Sequence, residues 1–123
     1  MEVEEILKRS DLYERKGKNQ HAFCIFIDRE DDVRILANIR PNEKWAETML
    51  HEMGHAVYDK YIDKNLPVIL KTPSHIFTTE AVAMFFGRFA RKPEWYRKIL
   101  KLSHNEIEKF ENELQTSLRD QLM

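Results

Sequence analysis

The stretch WAETMLHEMGHAVYDKYIDKNLP, Trp45 to Pro67, reads as a helix that gives way to a polar, proline-ended run. Met49, Leu50, Met53, Val57 and Ile62 give it an apolar face at helical spacing. Just upstream, Pro41 and Asn42 break a strand-like run, and Asn42 is suited to cap a helix from about Glu43 to Ile62. On that helix His51 and His55 stand four positions apart, so both project from one face, one turn apart. Glu52 is one step round from His51. The pattern is HExxH: two imidazoles that can chelate one zinc ion, and a carboxylate beside the open coordination position that can hold a water without being a ligand. Zinc lowers the pKa of such a water to about 7 and polarises a carbonyl, while the carboxylate accepts the proton and returns it to a leaving amine. Histidines on a helix with so large an apolar face lie near buried surface, where imidazoles need partners and a metal supplies them.

Catalytic zinc takes three protein ligands, so the search moves downstream. Asp63 to His75 contains Asn65, Pro67 and Pro73 and reads as a loop. A second helix is expected over about Ile76 to Arg91, apolar on most of its circumference through Ala81, Val82, Met84, Phe85, Phe86 and Phe89, the pattern of a core helix. Glu80 is the sole acidic residue between Asp63 and Glu94 and is the candidate third ligand. A solvated glutamate favoured by the helix dipole is the simpler alternative. His75 competes for the same position, though a satisfied loop histidine or a substrate contact suits it better. Glu47 and Asp59 each stand four residues from a zinc histidine on the same helix and are the nearest carboxylates for orienting those imidazoles.

Upstream, Val3, Ile6, Leu7 and Tyr13 predict an amphipathic helix from Val3 to about Arg15, ended by Gly17. HAFCIFID (His21 to Asp28) and VRILANI (Val33 to Ile39) are rich in aromatic and β-branched residues and flank the polar turn Arg29 to Asp32, which predicts a β-hairpin. Beyond Pro93, a short helix is expected over Glu94 to Leu102. Ser103 with Glu106 forms a capping box for a last helix bearing Ile107, Phe110, Leu114, Leu118 and Leu122. Its stripe is suited to intramolecular core, to sealing a homodimer, or to docking a missing half.

The 123 residues ask for one domain, 1–123. With 33% charged and 42% hydrophobic residues the chain should fold, and a formal net charge of −1 argues against nucleic acid and anionic membranes as partners. The single cysteine, Cys24, excludes an internal disulfide and reads as an inert buried thiol. The acidic start lacks a signal-peptide layout, and the longest apolar run, Ala81 to Phe86, is too short to span a bilayer, so a cytoplasmic location is expected.

From about His21 to Trp95 the chain resembles the zinc-binding half of the gluzincin metallopeptidases, closest to the angiotensin-converting-enzyme family and the thimet-oligopeptidase-like family, peptidase family M3. The likeness rests on WAETMLHEMGHAVYDKYIDKNLP followed by TTEAVAMFFGR (Thr78 to Arg88), in the order HExxH helix, proline-containing loop, glutamate helix. It implies one Zn2+ per chain on His51, His55 and Glu80, with Glu52 as catalytic base. It also implies a substrate-binding role for the His21-Ala22 pair, similar to a His-Ala pair on the strand before the active-site helix in that family. Two departures stand out. Met84 occupies the position of an aspartate that orients a zinc histidine, and neither Tyr96 nor His104 matches the downstream tyrosine and histidine that stabilise the tetrahedral intermediate. The chain therefore reads as an excised catalytic domain, a natural minimal gluzincin, or half of a split enzyme.

These readings converge on an α+β fold, a short antiparallel β-hairpin packed on a mostly helical domain, that hydrolyses short peptides laid antiparallel along an edge strand. The rival is a non-catalytic or incomplete zinc-binding module that works through a partner chain. A structural zinc site would tend to add a fourth Cys or His, and no such cluster is present, whereas Glu52 is what an enzyme needs.

Overall fold

Ser10 decides where the first helix stops. In the computed structural model, which describes residues 3–108, helix α1 spans Val3–Arg9 and does not run on to Arg15. The Ser10 hydroxyl donates to the Ile6 carbonyl at 2.6 Å and accepts from the Ile35 amide at 2.8 Å. Beyond it the backbone is extended. The Asp11 amide donates to the Ile35 carbonyl, and the Ala37 and Ile39 amides donate to the carbonyls of Asp11 and Leu12. Side chain-to-backbone bonding by Ser and Asp competes with helix in this way, so the polar pair Ser10-Asp11 converts the second half of the expected helix into a segment lying beside a strand. Gly17 sits at φ 81°, in a turn that returns the chain to the sheet.

The expected hairpin forms from β1, Phe23–Phe26, and β2, Val33–Leu36, with Phe23 opposite Leu36 and Phe26 opposite Val33. Its turn is built on Asp28, whose carboxylate accepts the amides of Glu30, Asp31 and Asp32 at 2.9–3.0 Å. Those backbone hydrogen bonds hold the Asp28 carboxyl down at about 2. The inner face of β2 buries Val33 and Ile35 in a core shared with Ile6, Ala37 and Ala56, and Phe26, Met49 and Met53 pack against it.

Helix α2 runs Glu43–Lys60 and is capped as expected, the Asn42 side chain accepting from the Trp45 amide at 2.9 Å. One face lies on the hairpin through Met49, Met53 and Ala56. Another meets helix α3, Ile76–Gly87, so closely that a Cβ at Gly54 would stand 2.7 Å from the Ala83 Cα. The loop between α2 and α3 contains a 3-10 turn at Val68–Leu70 and is tied to the hairpin tip, with Lys64 and Lys71 bound to Asp31 and Glu30. Lys60 at the end of α2 also reaches Asp31.

Helix α3 departs from the expected core helix. It ends at Gly87, and Arg88–Arg91 continue as a 3-10 turn. Only a narrow stripe, Thr79, Ala83 and Gly87, is buried, whereas Phe77, Met84 and Phe85 are 74%, 56% and 60% exposed. Small residues at that spacing allow close approach to α2, and the bulky ones are left on the other side. Helix α4 spans Pro93–Lys98. Residues 104–108 are helical; the Ser103 amide donates to the Glu106 carboxylate, one of the two capping-box bonds, and its hydroxyl donates to the same oxygen. Ile107 is buried; Phe110, Leu114, Leu118 and Leu122 of the expected stripe lie outside the described residues. No helix among the described residues is long and apolar enough to cross a membrane.

Candidate active site

The contact between α2 and α3 brings Glu80 to the two histidines. Glu80 stands one turn from Ala83, the residue seated on Gly54, so the missing side chain at Gly54 sets how near the two helices come. The Glu80 Oε2 lies 3.5 Å from His51 Nε2, and Oε1 lies 3.4 Å from His55 Nε2. One ligand atom from each of the three residues falls within 4.8 Å of the others. Such separations are long for hydrogen bonds. They match the about 3.3–3.6 Å between donors placed about 2.0–2.2 Å from one tetrahedral ion. Two imidazole nitrogens and one carboxylate are also the donor set of open zinc sites, so the residues present fit a bound divalent metal. Burial lowers the His55 pKa, with His51 adding to the effect and Glu80 opposing it, which favours the neutral imidazole that a metal requires.

Glu52 is 8% exposed and lies against the hairpin. Burial raises its pKa; the His51 imidazole opposes that shift, Glu80 adds to it, and a backbone hydrogen bond from Cys24 works against it. A carboxylate lifted in this way is a stronger base than a solvated one. The Cys24 thiol, half-buried, is pushed up to about 12 by burial, with Asp59 and Glu52 adding to the effect, in keeping with the inert role expected of it.

The cleft holding these groups has a volume of about 360 Å³. Its β wall is Ala22, Phe23 and Cys24. The Ile27 amide donates to the Asp32 carbonyl across the hairpin, and the Ile35 carbonyl is spent on Asp11. Alternation in an antiparallel ladder therefore turns the N–H and C=O of Cys24, opposite Ile35, away from β2; the N–H donates to the Glu52 carboxylate, and the C=O faces the free edge. Thr79, and Pro73, which the sequence marks only as a loop breaker, also line the cleft. Thr79 is buried, and its hydroxyl donates to the Ile76 carbonyl; its place directly before Glu80 was the only available signal.

The remaining candidates disperse. His75 caps α3, its Nδ1 accepting from the Phe77 amide at 3.0 Å, and it does not join the His51, His55 and Glu80 cluster. His21 is exposed at the approach to β1, its amide donating to the Asn19 side chain, while its neighbour Ala22 lines the cleft. The Glu47 carboxylate is taken up by the Arg91 guanidinium at 2.7 Å. Asp59 lines the cleft one turn beyond His55. Tyr96 is buried behind the N-terminal end of α2, beside Trp45 and Met49, and His104 is exposed; neither lines the cleft.

The model of peptidase family M3 matches residues 6–122, nearly the whole chain. No match was found among curated proteins or among solved structures.

Proposed function

The chain belongs to peptidase family M3, and from that premise we propose that it hydrolyses peptide bonds in short peptides with the aid of one zinc ion. The observation that carries this reading is the convergence of His51, His55 and Glu80 within 4.8 Å beside the buried base Glu52. Those three residues would hold the ion, which when bound polarises the scissile carbonyl and makes water acidic enough to attack near neutral pH. The chain's own groups do the rest. The Cys24 carbonyl on the free edge of β1 accepts from the substrate backbone, laying it antiparallel along the cleft with its carbonyl toward the histidines. Glu52 takes the proton of the attacking water and hands it to the leaving nitrogen, and burial suits its carboxylate to that exchange. Ile76 and Thr79 of α3 also line the cleft.

One observation favours a second reading, an incomplete module that works with a partner chain. Among the described residues the cleft is lined by no tyrosine, lysine or arginine that could stabilise an oxyanion. Losing one such donor costs an enzyme about 10²–10³ in rate. The two readings separate on cleavage of a mixed peptide library by zinc-loaded protein beside Glu52→Gln, with metal content measured for both. Cleavage by wild type alone establishes a self-sufficient peptidase. One zinc in each protein and cleavage by neither leaves the module reading.

A further inference from the structure

Among the described residues Asp59 has no counter-charge. It follows His55 by one turn of α2, lines the same cleft, and among the described residues no hydrogen bond or ion pair engages its carboxylate. The nearest cations in sequence and along the adjoining loop are committed elsewhere: Lys60 and Lys64 to Asp31, and Lys71 to Glu30, all at the hairpin tip. Among the described residues no lysine or arginine lines the cleft. With a divalent cation at His51, His55 and Glu80, the carboxylates of Glu80 and Glu52 balance its two charges, and Asp59 remains as one uncompensated negative charge. Burial makes that charge costly, since desolvation alone raises the Asp59 carboxyl from its ordinary value.

Resting on the peptidase reading above, we propose that Asp59 is a specificity-determining residue that selects a basic side chain, arginine or lysine, close to the scissile bond. The spacing suits this. The helix rise places Asp59 about 6 Å beyond His55 along α2, and two residues of an extended peptide cover about 6.7 Å. A guanidinium within two positions of the cleaved bond would therefore meet the carboxylate, and a planar fork on a carboxylate gives two parallel charge-assisted hydrogen bonds. The cleft then discriminates by charge at Asp59 and reads the backbone along β1.

The test uses the full chain loaded with zinc and carrying Glu52→Gln, which removes turnover and leaves the three donors in place. Fluorescent alanine-based peptides carry a single arginine, or its neutral isostere citrulline, at each of the four central positions, and Kd is read by anisotropy. The expected result is a preference of about fivefold to tenfold for arginine at one position, reduced to near unity by adding Asp59→Asn, with zinc content unchanged. Equal affinities at every position, binding of neither peptide, or a preference that survives Asp59→Asn would each overturn the proposal. So would loss of zinc on Asp59→Asn with the preference intact, because Asp59 would then act by positioning His55. Turnover of the same peptides by the unsubstituted chain keeps the two readings apart. Cleavage without arginine preference sinks this inference alone, and arginine-selective binding without cleavage sinks the self-sufficient peptidase alone.

Discussion

The Lys18 ammonium is fully paired, whereas among the described residues the Asp59 carboxylate in the cleft has no partner. The Lys18 side chain is 1% exposed, and its ammonium donates to the Asp11 carboxylate and to the backbone carbonyls of Asp11, Tyr13 and Ala37. It pins the segment after α1 to the end of β2 and leaves no hydrogen uncommitted. The cleft between α2 and α3 gathers three carboxylates and two imidazoles with no lysine or arginine among the described residues that line it. Buried polar groups are ordinarily satisfied, so the contrast separates a region whose chemistry is spent on the fold from one whose chemistry is held for a ligand. Substitutions in the two regions should therefore differ in sign as well as in size.

The largest effect is expected at Lys18. Lys18→Met keeps most of the volume but orphans the Tyr13 and Ala37 carbonyls and removes a buried charge from its partners, which should cost about 3 kcal/mol, a large share of the stability of a small domain. Urea denaturation followed by circular dichroism reads this directly. A loss below about 1 kcal/mol would mean that water replaces the ammonium, and the satisfied region would no longer differ in kind from the cleft.

The two helix glycines sharpen the comparison at the site itself. A Cβ at Gly54 would lie 2.7 Å from the Ala83 Cα and 3.2 Å from the Ala83 amide nitrogen, whereas at Gly87 the nearest atoms, including the His51 Cβ, are at 3.7 Å. Gly54→Ala should cost about 1–3 kcal/mol by overpacking and weaken zinc binding, because α3 cannot keep Glu80 in place while it is pushed off α2. Gly87→Ala should be neutral or stabilise by about 0.5 kcal/mol through helix propensity. Thermal melts with and without zinc, run on both variants, test this. Equal losses at the two positions would show that helix separation does not set the donor geometry.

Much of this site was legible in the sequence, for reasons that differ by element. His51, Glu52 and His55 lie within one turn of one helix, where spacing alone fixes which face they share. Glu80 was legible as an isolated acid on an apolar helix, but its approach to the histidines depends on Gly54 and Ala83, a close contact between elements distant in sequence. The hairpin followed from two β-rich runs around a polar turn. The length of α1 did not, because Ser10 and Asp11 exchange helical bonds for bonds to β2, and periodicity cannot see a partner 25 residues away. The outward face of α3 was hidden for a related reason: an all-apolar helix reads as core, and only the small stripe Thr79, Ala83 and Gly87 records which side packs. Glu47 and His75 had the spacing or chemistry for the site, yet Arg91 and the start of α3 claim them.

A moderate effect is expected at the hairpin turn, again among satisfied groups. The Asp28 carboxyl, held at about 2 against an ordinary 3.8 by the amides it accepts, favours the folded state when ionised. Its contribution is complete above the unfolded value and is lost as pH falls through the folded one. Asp28→Ala should lower Tm at pH 6, and the gap to wild type should close between about pH 4 and pH 2. A gap independent of pH would assign the effect to turn conformation and not to the carboxylate.

The smallest effect, and the one of opposite sign, is expected at Asp59. Burial raises its carboxyl above the ordinary 3.8, so the ionised form disfavours the folded state. That penalty is complete above the raised value and disappears as pH falls below the unfolded one. Asp59→Asn should therefore raise stability at neutral pH by about 0.5 kcal/mol, at the low end of what relieving a functional site yields, and the gain should vanish in acid. Addition of an arginine peptide should narrow the difference, since the ligand supplies to wild type the counter-charge that the fold withholds, and a folded-state ligand stabilises by mass action. A loss of stability on Asp59→Asn at neutral pH would show that the carboxylate already has a structural partner, and the division between spent and held polar groups would fail at the residue where it matters most.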